Sequence, residues 1–269
     1  MKKYKILITN DDGINSPGLK AAAEAMLDFG KVMVVAPTNQ QTGTGRGLTG
    51  DKESKLQSVN FEVNGVNLQA YHSNCSPALI IRHSLNTIYY TEPPDLLISG
   101  INYGENLGSS ITCSGTVGAA LEAASIGIPS IAISKQTDIA SHHKYTEQDW
   151  KTTVHFLKYF SDLLLNGKMM KDVDALKIDV PEQATPETEW KLTKVARCGY
   201  YFKDFEKPDA NPRFNDGKTK IIINEKQLEK DTDIHAFAIQ KLISVAPISV
   251  DISSRVELEE LKTLYKQKF

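Results

Sequence analysis

The chain has 269 residues, 41% hydrophobic and 24% charged, which suits one large folded domain and argues against disordered, fibrous or disulfide-scaffold classes. Its 31 Lys and Arg stand against 33 Asp and Glu, so a net charge of -2 gives no overall attraction to a nucleic-acid duplex or an anionic membrane. Three widely spaced cysteines, Cys75, Cys113 and Cys198, include no CxxC pair, which argues against a disulfide framework or zinc ribbon and fits a reducing, cytoplasmic setting.

The opening MKKYKILITNDDG carries two lysines and a short apolar run that Asp11-Asp12 breaks too early for a secretory segment. Residues 4–9 (YKILIT) read as a buried parallel strand. Ser16-Pro17 then supplies an N-cap and a first helical residue, and Leu19, Ala22, Ala23, Met26 and Leu27 follow at helical spacing up to a stop at Gly30. A strand at 32–36 closes a βαβ unit. A polar, Gly-rich stretch spans 38–51, and strands at 59–63 and 68–72 flank the hairpin signal Asn64-Gly65. Ser76-Pro77 opens a helix through Ile80, Ile81, Leu85 and Ile88; residues 95–99 (DLLIS) form a buried strand. An Ala-rich helix follows at 115–126, a strand at 130–134 and a long helix at 147–165. The longest uncharged stretch, 106–121, is too rich in Gly, Ser and Thr to span a membrane. Beyond residue 175 the texture changes to strands at 175–180, 190–195, 219–223 and 242–246, around a loop at 206–218, with a terminal helix at 255–266. The fold class is therefore α/β, layered, with a mostly parallel sheet in a catalytic lobe at 1–175. A β-rich portion at 176–269 belongs to the same compact domain and is suited to oligomerisation.

In open α/β sheets ligands bind beyond the carboxyl ends of the strands, so the residues that follow each strand carry the information about chemistry. After the first strand comes Asn10-Asp11-Asp12-Gly13, and after the second a loop containing Thr42. After DLLIS come Asn102 and Asn106 between Gly100, Gly104 and Gly108. Two adjacent carboxylates at a strand end are costly to bury unless a cation neutralises them, and hard divalent cations take oxygen ligands; the alternative is an Asx-turn or helix cap. An Asn carbonyl can complete a metal shell and its amide nitrogen can donate to phosphate, or both asparagines can simply shape turns. Ser114, Gly115 and Thr116 open the Ala-rich helix, where free N–H groups and hydroxyls make a phosphate cradle, or where Ser114 is a plain N-cap. Residues 45–50 (GRGLTG) match GxGxxG but begin well past the strand end and lead into Asp51-Lys52-Glu53-Ser54 instead of an apolar helix, so they are not a dinucleotide fingerprint. The six histidines show no HxH or HExxH spacing, and neither a GxSxG elbow nor a P-loop occurs.

The segments ILITNDDGINSPGL, PDLLISGINYGENLG, SGTVGAALEAASIGIPSIAIS, LKIDVP and DTDIHAFAIQKLISVAPIS resemble, in order, the SurE (survival protein E) family of metal-dependent phosphatases acting on nucleoside monophosphates. The resemblance implies a Rossmann-like lobe and one divalent ion per subunit, Mg²⁺ or Mn²⁺, held by Asp11, Asp12, Thr42 and Asn102, with Thr42 where a serine is usual. It implies catalytic roles for Asp11 and Asp12, and a phosphate site lined by Asn106, Ser114, Gly115 and Thr116. The expected activity is removal of phosphate from nucleoside 5′-monophosphates, with 3′-monophosphates as a second class. The expected assembly is a homodimer or dimer of dimers joined through C-terminal elements, with no nucleic-acid duplex and no membrane as partner. Lys177 and Asp179 replace usual asparagines, Lys241 a glycine and Ala246 a threonine, departures that bear on dimer packing and substrate choice. The competing readings are a non-catalytic nucleotide- or metal-sensing module and, against the misplaced glycine motif, a Rossmann-type nucleotide-dependent oxidoreductase.

Overall fold

Short aliphatic runs alternating with Pro-started helices produce the first βαβ unit, β1 (Tyr4–Thr9), α1 (Pro17–Met26) and β2 (Gly30–Pro37), with β1 and β2 in parallel register. The computed structural model describes residues 4–167, 169–208 and 211–266; the two opening lysines, and residues 209 and 210 of the loop expected at 206–218, lie outside them. Helix α1 ends four residues before Gly30, which instead starts β2, where a Cβ would collide with the Tyr4 backbone. Next come β3 (Gln57–Ser58), β4 (Phe61–Val63) and β5 (Val66–Ser73). Asn64 and Gly65 both adopt positive φ, +48° and +72°, the geometry of the tight turn that pairs β4 with β5.

Helix α2 (Pro77–Asn86) starts at Ser76, whose side chain accepts from the Leu79 N–H. Strand β6 (Leu96–Tyr103) continues past the DLLIS run, and its register against β7 (Ser130–Lys135) shifts between Ser99 and Asn102. Between them lies α3 (Gly115–Ala124); α4 (Lys151–Asn166) and β8 (Ala175–Val180) follow. Helix α4 begins at Lys151 rather than 147 because the Asp149 carboxylate accepts the Lys151 N–H and starts the helix there. The later elements are β9 (Trp190–Leu192), β10 (Tyr201–Asp204), β11 (Lys218–Ile221), β12 (Ile243–Ile248) and α5 (Leu258–Lys266). The main sheet runs β3-β5-β2-β1-β6-β7-β8-β12-β9, with parallel pairing from β5 through β8 and an antiparallel β8–β12 pair; β10 and β11 form a separate antiparallel ladder.

Period-two alternation divides each central strand between two cores. Ile6, Ile8, Leu96, Ile98, Ile131 and Ile133 pack with residues of α1 and α4, among them Leu19, Met26, Phe156 and Phe160. Leu7, Val35, Leu97 and Ala132 pack with α2 and α3 through Ile80, Ile81, Leu85 and Val117. Both faces are covered, which is why these strands read as continuous apolar runs. Leu97 is fully buried, and Leu97→Ala is expected to lower unfolding free energy by about 3 kcal/mol, measured as a shift of the denaturant midpoint. A third, smaller core of Leu107, Ala196, Tyr200, Ile234 and Phe237 docks residues beyond 190 onto the loop that follows β6.

Candidate active site

The carboxyl ends of β1, β2 and β6 open on one cleft of about 200 Å³. Asp11, Asp12, Thr42, Asn102, Asn106 and Ser114 all line it. The turn after β1 is fixed by Asn10, whose amide donates to the Gly13 carbonyl at 3.1 Å and accepts the Gly13 N–H at 3.2 Å, while Gly13 sits at φ +107°. That turn leaves two consecutive carboxylates on the floor of the cleft, with residue exposures of 6% for Asp11 and 2% for Asp12.

Asp11 accepts the Thr116 hydroxyl at 2.5 Å, and the main-chain N–H groups of Gly115 and Thr116 lie beside its carboxylate. Burial still pushes its carboxyl above the usual range, because desolvation outweighs those bonds. Asp12 accepts the Tyr103 N–H at 3.2 Å and the Gln40 amide at 3.3 Å, and the Tyr145 hydroxyl donates to its carbonyl at 2.7 Å. Burial first, then repulsion from Asp11, drives the Asp12 carboxyl well up. Asn102 donates its amide N–H to the Gly104 carbonyl at 2.7 Å, so the side-chain atom it offers to a cation is its carbonyl oxygen. Thr42 stands on the exposed rim, in a loop secured by Gln41 N–H to the Asp11 carbonyl and by the Thr44 hydroxyl to the Gln41 carbonyl.

Asn106 donates its side-chain amide to the Ser134 hydroxyl at 2.8 Å, leaving a second amide hydrogen for a ligand. Ser114 caps α3 by accepting the Val117 N–H at 3.2 Å, which leaves its hydroxyl hydrogen to donate. Capping and ligand binding are thus compatible at this residue. Gly115 and Thr116 are placed differently: they stand behind Asp11 instead of on the cleft wall, with the Thr116 hydroxyl donating to its carboxylate. The GRGLTG loop has a packing role, since Gly45 approaches Gly118 of α3 too closely for a Cβ and the Gly47 carbonyl accepts the Ser76 hydroxyl.

Among the cleft residues not singled out from the sequence are Gln40, Glu105, His142 and Tyr201. Glu105 is 4% exposed, with the Tyr200 and Tyr201 hydroxyls beside it, and burial raises its carboxyl. Its place between two asparagines in a Gly-punctuated loop was the available signal. Gln40 follows β2 and donates to the His142 carbonyl at 2.5 Å, tying the loop after β7 over the site. Tyr201 comes from β10, with no local signature to announce it.

No Lys or Arg is among the described residues that line the cleft. No three His, Cys, Asp or Glu form a ligating cluster among the described residues either; the four expected ligands offer two carboxylates, one amide carbonyl and one hydroxyl. All four are hard oxygens, and the buried, mutually repelling pair lacks a protein cation. That combination fits an Mg²⁺- or Mn²⁺-sized ion that keeps part of its water shell.

The family model described as Survival protein SurE matches residues 6–202. Among curated relatives, the 5′-nucleotidase SurE of Thermococcus kodakarensis is 38% identical over 98% of this chain and 99% of its own length. That of Archaeoglobus fulgidus is 36% identical over 95% of both. The crystal structure of a SurE protein from Aquifex aeolicus superposes with a TM-score of 0.71 at 27% identity, covering 97% of this chain and 99% of that one.

Proposed function

Since the chain belongs to the survival protein SurE family, we propose that it is a 5′-nucleotidase, a divalent-metal-dependent phosphomonoesterase that releases phosphate from nucleoside 5′-monophosphates and, as a second class, 3′-monophosphates. The observation that carries this reading is a cleft that sets the Asn106 amide and the Ser114 hydroxyl, both free to donate, beside a buried carboxylate pair, without Lys or Arg among its described residues. Phosphate can enter such a site only with a cation. Asp11, Asp12, the Asn102 carbonyl and the Thr42 hydroxyl would hold one Mg²⁺ or Mn²⁺ per subunit. When bound, that ion supplies Lewis-acid charge to the phosphoryl oxygens.

The rest of the chemistry falls to side chains. The Asn106 amide and the Ser114 hydroxyl donate to phosphoryl oxygens and orient the ester for in-line attack by water. Asp11 accepts the Thr116 hydroxyl, which fixes the orientation of its carboxylate and suits it to holding the cation. Gly115 and Thr116 act by aiming Asp11. Thr116→Val is therefore expected to lower kcat/KM by about 10- to 100-fold, the loss of a hydrogen bond to a charged group, with the helix intact by circular dichroism.

The test is phosphate release from a panel of nucleoside monophosphates with Mn²⁺, Mg²⁺ or EDTA. Metal-dependent release supports the nucleotidase. Tight metal-dependent nucleotide binding without release, from folded protein, would favour a sensing module instead. Exposed apolar side chains late in the chain, Phe214, Ile252 and Leu258, support a homodimer or dimer of dimers, which light scattering reads directly. The free cysteines Cys75, Cys113 and Cys198 support a cytoplasmic location. Among the described residues no helix is long and apolar enough to cross a membrane.

A further inference from the structure

Beneath the phosphate end of the cleft lies a buried ionic cluster that the chemistry above does not use. Lys177 on β8 is 1% exposed, and Asp179 and Asp233 are fully buried. The Lys177 ammonium contacts the Asp179 carboxylate at 2.5 Å and the Asp233 carboxylate at 3.2 Å. It also donates to the Asn106 main-chain carbonyl at 2.8 Å, while Asp179 accepts the Asn106 N–H at 2.7 Å. Asp233 accepts the Gly108 N–H at 3.0 Å, and the N–H groups of Ala196 and Ile234 on its other oxygen. Both main-chain polar groups of Asn106 are therefore held by one ion pair, and the next turn of the loop is held by the third member.

A buried ion cluster is a poor means of stabilising a core, because desolvation offsets most of its attraction and apolar residues of similar volume commonly do as well. What such a cluster supplies is geometry: its bonds are directional and strong in low dielectric. Burial alone would favour a neutral Lys177, but the two carboxylates outweigh it and hold the ammonium charged. Asp233 reaches the cluster from the C-terminal part of the chain, so the same contacts tie that part to the loop that follows β6.

We propose that Lys177, acting with Asp179 and Asp233, is a positioning residue that fixes the Asn106 loop and so sets the affinity of the cleft for the phosphoryl group, leaving the cation end of the site untouched. The proposal rests on the reading of Asn106 as a phosphate donor. Lys177→Asn strips the cation from two facing carboxylates and removes the donor to the Asn106 carbonyl. Lys177→Asn combined with Asp179→Asn removes both charges together, restores the asparagines usual at these positions by the family resemblance, and leaves Asp233 with its three N–H donors.

The test uses the full chain and compares wild type, Lys177→Asn, Asp179→Asn and the double variant. The readouts are KM, kcat, the inhibition constant of inorganic phosphate, the Mn²⁺ concentration for half-activation, and amide hydrogen exchange at Asn106 and Gly108. For Lys177→Asn we expect KM and the phosphate inhibition constant to rise about tenfold or more, as for loss of a buried charged hydrogen bond, with the Mn²⁺ requirement within about twofold of wild type. Exchange at Asn106 and Gly108 should quicken by a similar factor, and the double variant should recover most of both effects. A folded Lys177→Asn protein with wild-type phosphate inhibition and slow exchange would overturn the proposal. So would a double variant as impaired as the single one. If Lys177→Asn does not fold, Asp179→Asn decides: it weakens the grip on the Asn106 N–H and on Lys177, so wild-type phosphate inhibition with slow exchange at Asn106 in that variant would overturn the proposal. Absence of phosphate release by wild type would overturn the nucleotidase reading instead, and exchange at Asn106 and Gly108 would still test the cluster.

Discussion

Asp12→Asn is expected to reduce metal-dependent phosphate release by about three orders of magnitude, on the scale of lost electrostatic stabilisation at a preorganised site. The same substitution should make the metal-free protein more stable. Burial and the neighbouring Asp11 both raise the Asp12 carboxyl, so its folded-state value lies above the unfolded one. A group with that shift favours folding when protonated, and the stability it gives is lost as pH rises from the unfolded value through the folded one. Above the unfolded value Asp12 is therefore a burden on the metal-free fold, and replacing its carboxyl should raise the metal-free Tm by roughly 2–6 °C. In wild type, Mn²⁺ at about 100 times its Kd should add about 2.7 kcal/mol of stability by mass action, and the variant should gain little. Phosphate release together with thermal melts, with and without Mn²⁺, measures all three effects. Near-normal turnover in the variant would remove Asp12 from the site.

Gly115→Ala should be nearly as damaging to activity while leaving the fold almost unchanged. A Cβ at this position would lie 2.7 Å from the Asp11 Cβ and Oδ2 and 3.0 Å from the Thr44 hydroxyl. Asp11 is buried on the cleft floor, so relief must come from moving its carboxylate or opening the first turn of α3. Either movement takes Asp11 off its bond to the Thr116 hydroxyl. A misplacement on the order of 1 Å at a reacting centre lowers kcat/KM by about 100-fold. Stability should change by less than about 1 kcal/mol, because alanine is the better helix former and offsets part of the crowding. A variant with wild-type kcat/KM and an unchanged Mn²⁺ requirement would show that Asp11 tolerates the displacement and does not set the rate.

Where a signal is local, the sequence alone determined the outcome. Ser16-Pro17 and Ser76-Pro77 open helices because proline has no N–H to lose in a first turn. Asn64-Gly65 makes a hairpin because both residues tolerate positive φ. The aliphatic runs of β1, β6 and β7 lie in the sheet because two cores demand apolar side chains on both faces. Asp11, Asp12, Thr42, Asn102, Asn106 and Ser114 could be read as neighbours because parallel strands bring the residues at their carboxyl ends together. Strand β10 was not legible, since a short ladder with mostly exposed residues has no hydrophobic period to display.

Only the tertiary structure decided what stands behind those side chains. Thr116 and Asp11 are 105 residues apart, and nothing local says that the start of α3 is aimed at a carboxylate and not at a phosphate. Lys177 stands out in the sequence only as a departure from a usual asparagine, and it meets the Asn106 carbonyl because β8 lies beside β7 under the loop after β6. Tyr201 enters the cleft wall because the small third core docks the later chain against Leu107. These contacts depend on which strand lies next to which. That is settled by burial of the two sheet faces across the whole chain, and hydrogen bonds and charges then take the positions that this packing leaves them.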